Sequence, residues 1–317
     1  MIMSKRIAII LSVLLCCSIS VLSAQESRSL PFLEINADTR TAGMGDAVMG
    51  DTESMFLYTN PTAFLQQQAN FYASYTFGLY PKVNDDAMKY HAFSGGYKIM
   101  DNYALLVGFR FFDGLNIPQV GEDMIPMQDI KPMDWSIDLS YAIRISSHLS
   151  AYAGGALIQS YNGYTGYTGS ATAGIYYRNI LIVSGNTGSY SVGFSLNDFG
   201  GKIKYGKNGS KNSLPSSLGL GGSVTLPFSK AHKVNAVLAT RYFMLPSDAK
   251  AFTGGVGVEY EWLERVSVRT GYHWGNDNGY LTLGLGYRLK GISLDAACSC
   301  TRDKDLRLFR VGLSAAL

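Results

Sequence analysis

A few stretches of this chain carry residue types at spacings that chemistry can use. GKIKYGKN, Gly201 to Asn208, has the glycine and Gly-Lys spacing of a phosphate-cradling loop. Asn208, however, stands where a hydroxyl would hold Mg²⁺, and no helical pattern follows, so the stretch reads as a basic external loop. LGLGGS and GGVGVEY approach dinucleotide-binding spacing but lie within strand-like patterns, where glycine marks bends or tight packing. His91, His148, His232 and His273 are scattered, with no short metal spacing. Cys298 and Cys300 are two apart on a strand pattern and share a face. A bridge between them would be strained, and a zinc site would need further ligands close by. No nucleophile elbow accompanies the serines and aspartates. The chain therefore reads as a non-enzyme, with no catalytic residues, no metal site and no cofactor.

Composition narrows the class. MIMSKRIAIILSVLLCCSISVLSAQ has a short basic region, an apolar core from Ile7 to about Leu15 and a small residue at Ala24, the pattern of a secretory signal peptide over residues 1–24. The apolar core is shorter than the ~20 residues a spanning helix needs. The leader holds two of the 27 basic residues and no acidic one, leaving 25 against 24 acidic residues. Near-neutral charge removes the electrostatic basis for nucleic acid as a partner.

The elements that must position any site are strands. The sequence is rich in glycine (35), tyrosine (21) and phenylalanine (15), and poor in proline. In DWSIDLSYAIRI, Trp135, Ile137, Leu139, Tyr141, Ile143 and Ile145 share one face, and Asp134, Ser136, Asp138, Ser140 and Arg144 share the other. Such segments run to about ten to thirteen residues, close to the ~9–11 that a tilted strand needs to cross a bilayer and longer than usual sandwich strands. Fourteen candidates, beginning near residue 70 and ending at 317, with one at 169–179, predict an all-β, transmembrane antiparallel β-barrel of about 14 strands. Gly114 to Pro132 and Asp198 to Leu214 read as long loops, and Met100-Asp101-Asn102 and Lys290-Gly291 as tight turns. So wide a lumen has to be filled by something other than wall side chains. Residues 25–69 lack the alternation, and they are the expected N-terminal plug in the lumen, ahead of a barrel over 70–317.

PFLEINADTRTAGMGDAVMGDTESMFLYTNPTAFL, from Pro31, resembles the N-terminal signature of FadL-like outer-membrane channels, and specifically of the PorV/PorQ branch linked to type IX secretion. The matching positions are Asp38 and Arg40, then Ala42, Gly43, Met44 and Gly45, then Asp51 and Glu53, then Asn60 and Pro61. Thr62 departs from the family's alanine, and Leu317 stands where such barrels commonly end on an aromatic residue. The resemblance implies that residues 31–66 enter the lumen, with Asp38, Arg40, Gly43, Met44, Gly45, Asn60 and Pro61 as the plug motif. Asp38 and Arg40 are expected to pair with lumen charges such as Arg110, Asp138 or Arg144.

Three functions follow as expectations. The first is a non-enzymatic type IX secretion component in the Gram-negative outer membrane, whose partners are lipids and either cargo C-terminal domains or other machinery subunits. For that role Met124 and Met127, in the Gly114–Pro132 loop, form a candidate partner surface. The second is a FadL-type channel for a hydrophobic solute, with Phe56, Leu57, Phe64 and Leu65 supplying part of an apolar pocket. The third is a barrel enzyme, for which no constellation is found.

Overall fold

A computed structural model describes residues 28–50, 52–83, 85–120, 126–183, 185–207, 209, 211–247, 249–275 and 279–317. The expected signal peptide lies outside the described residues. In chain order the strands are β1 (Phe71–Leu79), β2 (Lys89–Met100), β3 (Tyr103–Asp113), β4 (Ile117–Val120), β5 (Pro126–Ile130), β6 (Met133–Arg144), β7 (Leu149–Tyr161), β8 (Thr165–Val183) and β9 (Asn186–Gly200). There follow β10 (Ile203–Lys204), β11 (Lys211–Asn212), β12 (Ser217–Pro227), β13 (His232–Phe243), β14 (Ala251–Trp262), β15 (Val266–Trp274), β16 (Tyr280–Leu289), β17 (Ile292–Cys300) and β18 (Phe309–Ala316). Among the described residues, fourteen of these form one closed antiparallel barrel; β4–β5 and β10–β11 are small hairpins in its loops. Closure is by β1 on β18, from Tyr72 opposite Ala316 to Leu79 opposite Phe309, and the Leu317 carbonyl accepts from the Asn70 and Phe71 amides at 3.0 Å each.

Exposure follows an inverted pattern that a soluble sandwich would not show. On β6, Ile137 is 53 % exposed while Ser136 beside it is fully buried, and the same alternation runs on through Asp138 to Tyr141. Apolar side chains point outward and polar ones inward, as in a strand between lipid and a polar lumen. Cys298 and Cys300 are free thiols on the outward face of β17. Among the described residues no helix is long and apolar enough to cross a membrane; the strands cross instead. Leu283, mid-strand and outward on β16, gives a test of this orientation. Leu283→Arg should cost roughly 2–4 kcal/mol, the penalty for a cation at the bilayer midplane. The midpoint of urea unfolding from lipid vesicles reads that loss.

One end of the barrel, where β1 begins and β18 ends, has tight connections such as 101–102 and 290–291; the other end carries the longer loops. Two sequence expectations need correction there. The strand expected at 169–179 runs from Thr165 to Val183, which leaves only 162–164 to connect it to β7. Its first half, TGYTGSATAG, is small and polar, so alternation is faint, and the positive φ of Gly163 (102°) turns the chain sharply. The two long loops are also partly ordered, as the β4–β5 and β10–β11 hairpins.

The buried apolar side chains sit mainly where residues 28–70 meet the wall. Leu30, Phe32 and Leu33 pack on Ile158, Ile203 and Leu214; Ala37 and Met55 on Tyr90 and Ala92; Met44, Ala47 and Met49 on Val237 and Ala239. Phe56, Ala63, Phe64 and Leu65 pack on Tyr72, Leu106 and Tyr152. A barrel whose inner wall is polar has little apolar core of its own, and this inner segment supplies it.

Candidate functional site

The segment inside the barrel is built from short turns, two of them capped by a polar side chain. Asp38 caps the single helical turn α1 (Thr39–Ala42): its Oδ2 accepts from the Thr41 amide at 3.0 Å, while Oδ1 accepts from the Ser54 hydroxyl. A second turn, α2 (Phe56–Thr59), ends at Asn60. Asn60 is extended (φ −152°), as a residue before proline must be, and its Oδ1 accepts from the Thr62 amide at 3.2 Å and the Thr62 hydroxyl at 2.7 Å. Thr62, the departure from the family pattern, thus adds a hydrogen bond to the cap of the turn Pro61–Gln66. Asn60→Ala should cost about 1 kcal/mol through loss of this cap. Thermal unfolding of the refolded barrel should register the decrease.

Arg40 makes the deepest polar contact. Its guanidinium grips Glu259 of β14 in two-pronged fashion, Nη2 to Oε1 at 2.6 Å and Nε to Oε2 at 2.9 Å. Glu259 also accepts from Asn235 Nδ2 and from Arg269 Nε, each at 2.5 Å, and Arg269 Nη1 reaches Asp295 Oδ1 at 2.6 Å. The chain Arg40–Glu259–Arg269–Asp295 alternates in sign and ties the segment to β13, β14, β15 and β17. This corrects the expected pairing with Arg110, Asp138 or Arg144. Arg110 pairs with Asp138 at 2.7 Å, and Arg144 donates to the Leu65 carbonyl. Alternation marks which charges face inward, but it does not say which strand the segment will lie on.

Gly43, Met44 and Gly45 lie flat on a bay of wall glycines. A methyl on Gly43 would meet the Gly284 Cα at 2.9 Å, and one on Gly257 would meet the Met44 Cβ at 2.4 Å. Gly45 adopts φ +74°, its amide donates to Thr282 Oγ1 at 2.7 Å, and a methyl there would fall 2.5 Å from the Val256 carbonyl. Next to the bay, Asp46 accepts from Tyr280 Oη at 2.7 Å, Arg310 Nη1 at 3.0 Å and Asn36 Nδ2 at 3.1 Å. Glu53 pairs with Arg288. Sequence reasoning missed Glu259, Arg269, Asp295, Asp46 and Arg310 as partners. The available signal was a charge at the inward phase of an alternating strand, as in VSVRTG and ISLDAA.

Of the residues expected to line an apolar pocket, Phe56, Phe64 and Leu65 are instead sealed in a cluster, with the Phe56 and Phe64 rings each 4.7 Å from that of Tyr72. Leu57 alone of the four lines the open lumen, a cavity of about 590 Å³. The wall of that cavity is mixed: Arg110, Asp138, Asp198, Arg241 and Arg310 line it together with apolar side chains such as Leu33, Met49 and Phe243. Tyr58 also lines it and donates to Asp138 Oδ2 at 2.9 Å; burial, reinforced by that carboxylate, pushes its hydroxyl well above the usual phenol range and keeps it a donor. Met127 is exposed on β5, and Met124 lies outside the described residues.

Comparison with known families places this geometry. The family described as type IX secretion system protein PorV matches residues 23–250. The chain belongs to the PorV family. It is an outer-membrane β-barrel of type IX secretion, and its outward apolar face meets lipid. No protein of curated function matches it in sequence. Solved barrels share its shape. The toluene transporter TbuX of Ralstonia pickettii is 13 % identical, with 88 % of this chain and 98 % of that one covered and a TM-score of 0.58. The monoaromatic hydrocarbon channel CymD is 11 % identical, with 92 % and 99 % covered and a TM-score of 0.59. A FadL homologue of Pseudomonas aeruginosa is 11 % identical, with 88 % and 98 % covered and a TM-score of 0.50. At such identities the likeness is one of fold.

Proposed function

We propose that this barrel acts in type IX secretion as a non-enzymatic docking component, offering its external loops to a cargo C-terminal domain or to another subunit of the machinery. Residues 25–69, after removal of the signal peptide, act as a plug that keeps the lumen shut meanwhile. The observation that carries this reading is the character of the lumen. Much of its apolar surface packs the inner segment on the wall, and the space left over carries several ion pairs among its apolar side chains. A hydrophobic solute filling that space would strip water from the charged side chains that line it without giving them a partner, which is unfavourable. Charged wall positions that hold a segment in place suit a sealed scaffold better.

The histidines support a role without catalysis. His91 and His232 meet tyrosine hydroxyls, His148 meets the adjacent Ser147 hydroxyl, and His273 meets the Gly45 carbonyl. Only the His148 contact pairs a base with a serine hydroxyl, and no carboxylate is hydrogen-bonded to that ring among the described residues. For the docking surface, the β4–β5 hairpin presents Ile117 and Met127 to solvent.

Deleting the gene and profiling secreted and surface proteins by mass spectrometry tests the proposal, with uptake of a long-chain hydrophobic tracer followed in parallel. Stalling in the periplasm of a set of proteins that share a C-terminal domain is the expected result. Intact secretion with diminished uptake would overturn it in favour of a hydrophobic-solute channel.

A further inference from the structure

One corner of the lumenal cavity is built in a way that neither the plug nor the barrel requires. Strands β8 and β9 pair in register until Ala173 opposite Leu196, and resume at Ala171 opposite Phe199. Two residues, Asn197 and Asp198, therefore stand against one, Thr172. This is a β-bulge, a device that re-aims side chains and recurs beside functional sites. Successive residues of a regular strand face opposite ways, yet here Asn197 and Asp198 both line the cavity. Asp198 takes a left-handed conformation to do so, with φ +55°, a strain that persists only where the surroundings impose it. The Asp198 amide rests on Thr172 Oγ1 at 3.4 Å, and its carbonyl accepts from Ser216 Oγ at 2.8 Å.

Across a gap floored by Gly219 stands Arg241. Gly219 is the cross-strand neighbour of Arg241 on one side and of Ser195 on the other, and the space its missing side chain would take is held by the Ser195 hydroxyl, 2.5 Å from a Cβ there, with Asn197 Nδ2 at 3.4 Å. The remaining ion pairs around the cavity are internally satisfied: Arg110 with Asp138, Arg310 with Asp46, and Glu34 with Arg28. Arg241 and Asp198 differ. Arg241 makes no salt bridge among the described residues: its guanidinium carbon lies 5.8 Å from the ring of Phe243, and its charge acts on Asp198, Tyr152 and His273 only across a distance. The Asp198 carboxylate meets one donor, Ser170 Oγ, at 3.4 Å. The corner thus offers one unbridged cation, one unbridged anion and, between them, hydroxyl and amide groups.

We infer that this corner binds a small zwitterion of amino-acid or dipeptide type, with its carboxylate on Arg241 and its ammonium on Asp198. The guanidinium fork matches a carboxylate in two-pronged geometry, and the aspartate supplies the acceptor an ammonium needs. A simple anion would leave Asp198 facing it with like charge, and a hydrophobic solute would leave both charges desolvated and unpaired. The cavity, about 590 Å³, falls in the range of small-molecule sites. Gly275, Thr301 and Leu306 also line it, and they belong to connections at the long-loop end, so the site is reached from there.

Isothermal titration calorimetry on the detergent-solubilised full barrel tests this, with glycylglycine as the zwitterion and acetate and ethylammonium as its two halves. D198N keeps the backbone conformation, because asparagine tolerates positive φ as aspartate does; R241Q removes the charge and the guanidinium fork, leaving a shorter polar side chain. Glycylglycine is expected to bind, with each substitution weakening it about ten- to hundredfold, the loss of one hydrogen-bonded charge, and each half-probe binding correspondingly weakly. Heat-modified gel migration confirms that both variants are folded. No saturable heat from glycylglycine with the wild-type barrel would overturn the inference. So would acetate binding as tightly as the dipeptide with D198N without effect, which would mark a plain anion site.

Discussion

Glu259→Ala should destabilise the protein by roughly 3–5 kcal/mol, the cost of breaking a buried ion pair from one side, and should loosen the inner segment from the wall. Glu259 is fully buried and receives Arg40, Arg269 and Asn235 at once. Its removal leaves Arg40 without its two-pronged partner in a site closed to water, and leaves Arg269 with Asp295 as its remaining carboxylate. Glu259→Gln should fall between, since the amide keeps the shape and can accept from one guanidinium but carries no charge. The urea midpoint in lipid vesicles measures the energy, and limited proteolysis around residues 36–50 reports whether the segment has come away. Equal midpoints and an unchanged cleavage pattern for E259A would show that Arg40 does not anchor the segment.

The second large effect requires one methyl group. Gly271→Ala places a Cβ 2.2 Å from the Gly45 amide nitrogen, and the obstacle is backbone, which cannot rotate away. The same Cβ would stand 2.7 Å from the Val256 carbonyl of β14, so the β14–β15 ladder must give by a few tenths of an ångström there, while the rest of the barrel pairing is untouched. Docking of residues 43–46 should not survive. Overpacking of this kind costs about 1–3 kcal/mol, and every 1.4 kcal/mol shifts the docked population about tenfold. Planar-bilayer recordings should show the wild-type barrel largely closed and G271A conducting, with G271V further open. Gly95→Ala is the control, since its nearest neighbour would be the Phe93 ring at an ordinary 3.5 Å. If G271A and G95A behave alike, the glycine bay is not what seats the segment.

These two sites were legible to different degrees. The residues of the segment that matter, Asp38, Arg40, Gly43, Gly45 and Asn60, stand out in the sequence because they interrupt an otherwise alternating chain and match a family signature. Their partners do not stand out. Glu259, Arg269 and Asp295 lie on three strands between 259 and 295, more than two hundred residues from Arg40, and on paper they are simply inward-facing charges. Gly257 and Gly271 read as features of their own strands, and only the Met44–Gly45 backbone lying across them explains the absence of side chains. The apolar residues Phe56, Phe64 and Leu65 were legible as apolar, but composition cannot distinguish a packed cluster from a solute pocket, since both use the same side chains.

The sequence by itself determined the barrel. Hydropathy that alternates with period two over membrane-length segments has one stable arrangement in lipid, a closed sheet with every backbone group paired, and the number of such segments counts the strands. It also determined that residues ahead of β1 differ in kind from those after it. The tertiary structure decided where that segment lies, which wall charge meets Arg40, and that a bulge turns Asn197 and Asp198 together toward Arg241. Those outcomes depend on closing the ring. Strands far apart in the chain become neighbours across a lumen only when β1 meets β18, and local periodicity carries no information about what faces what across that space.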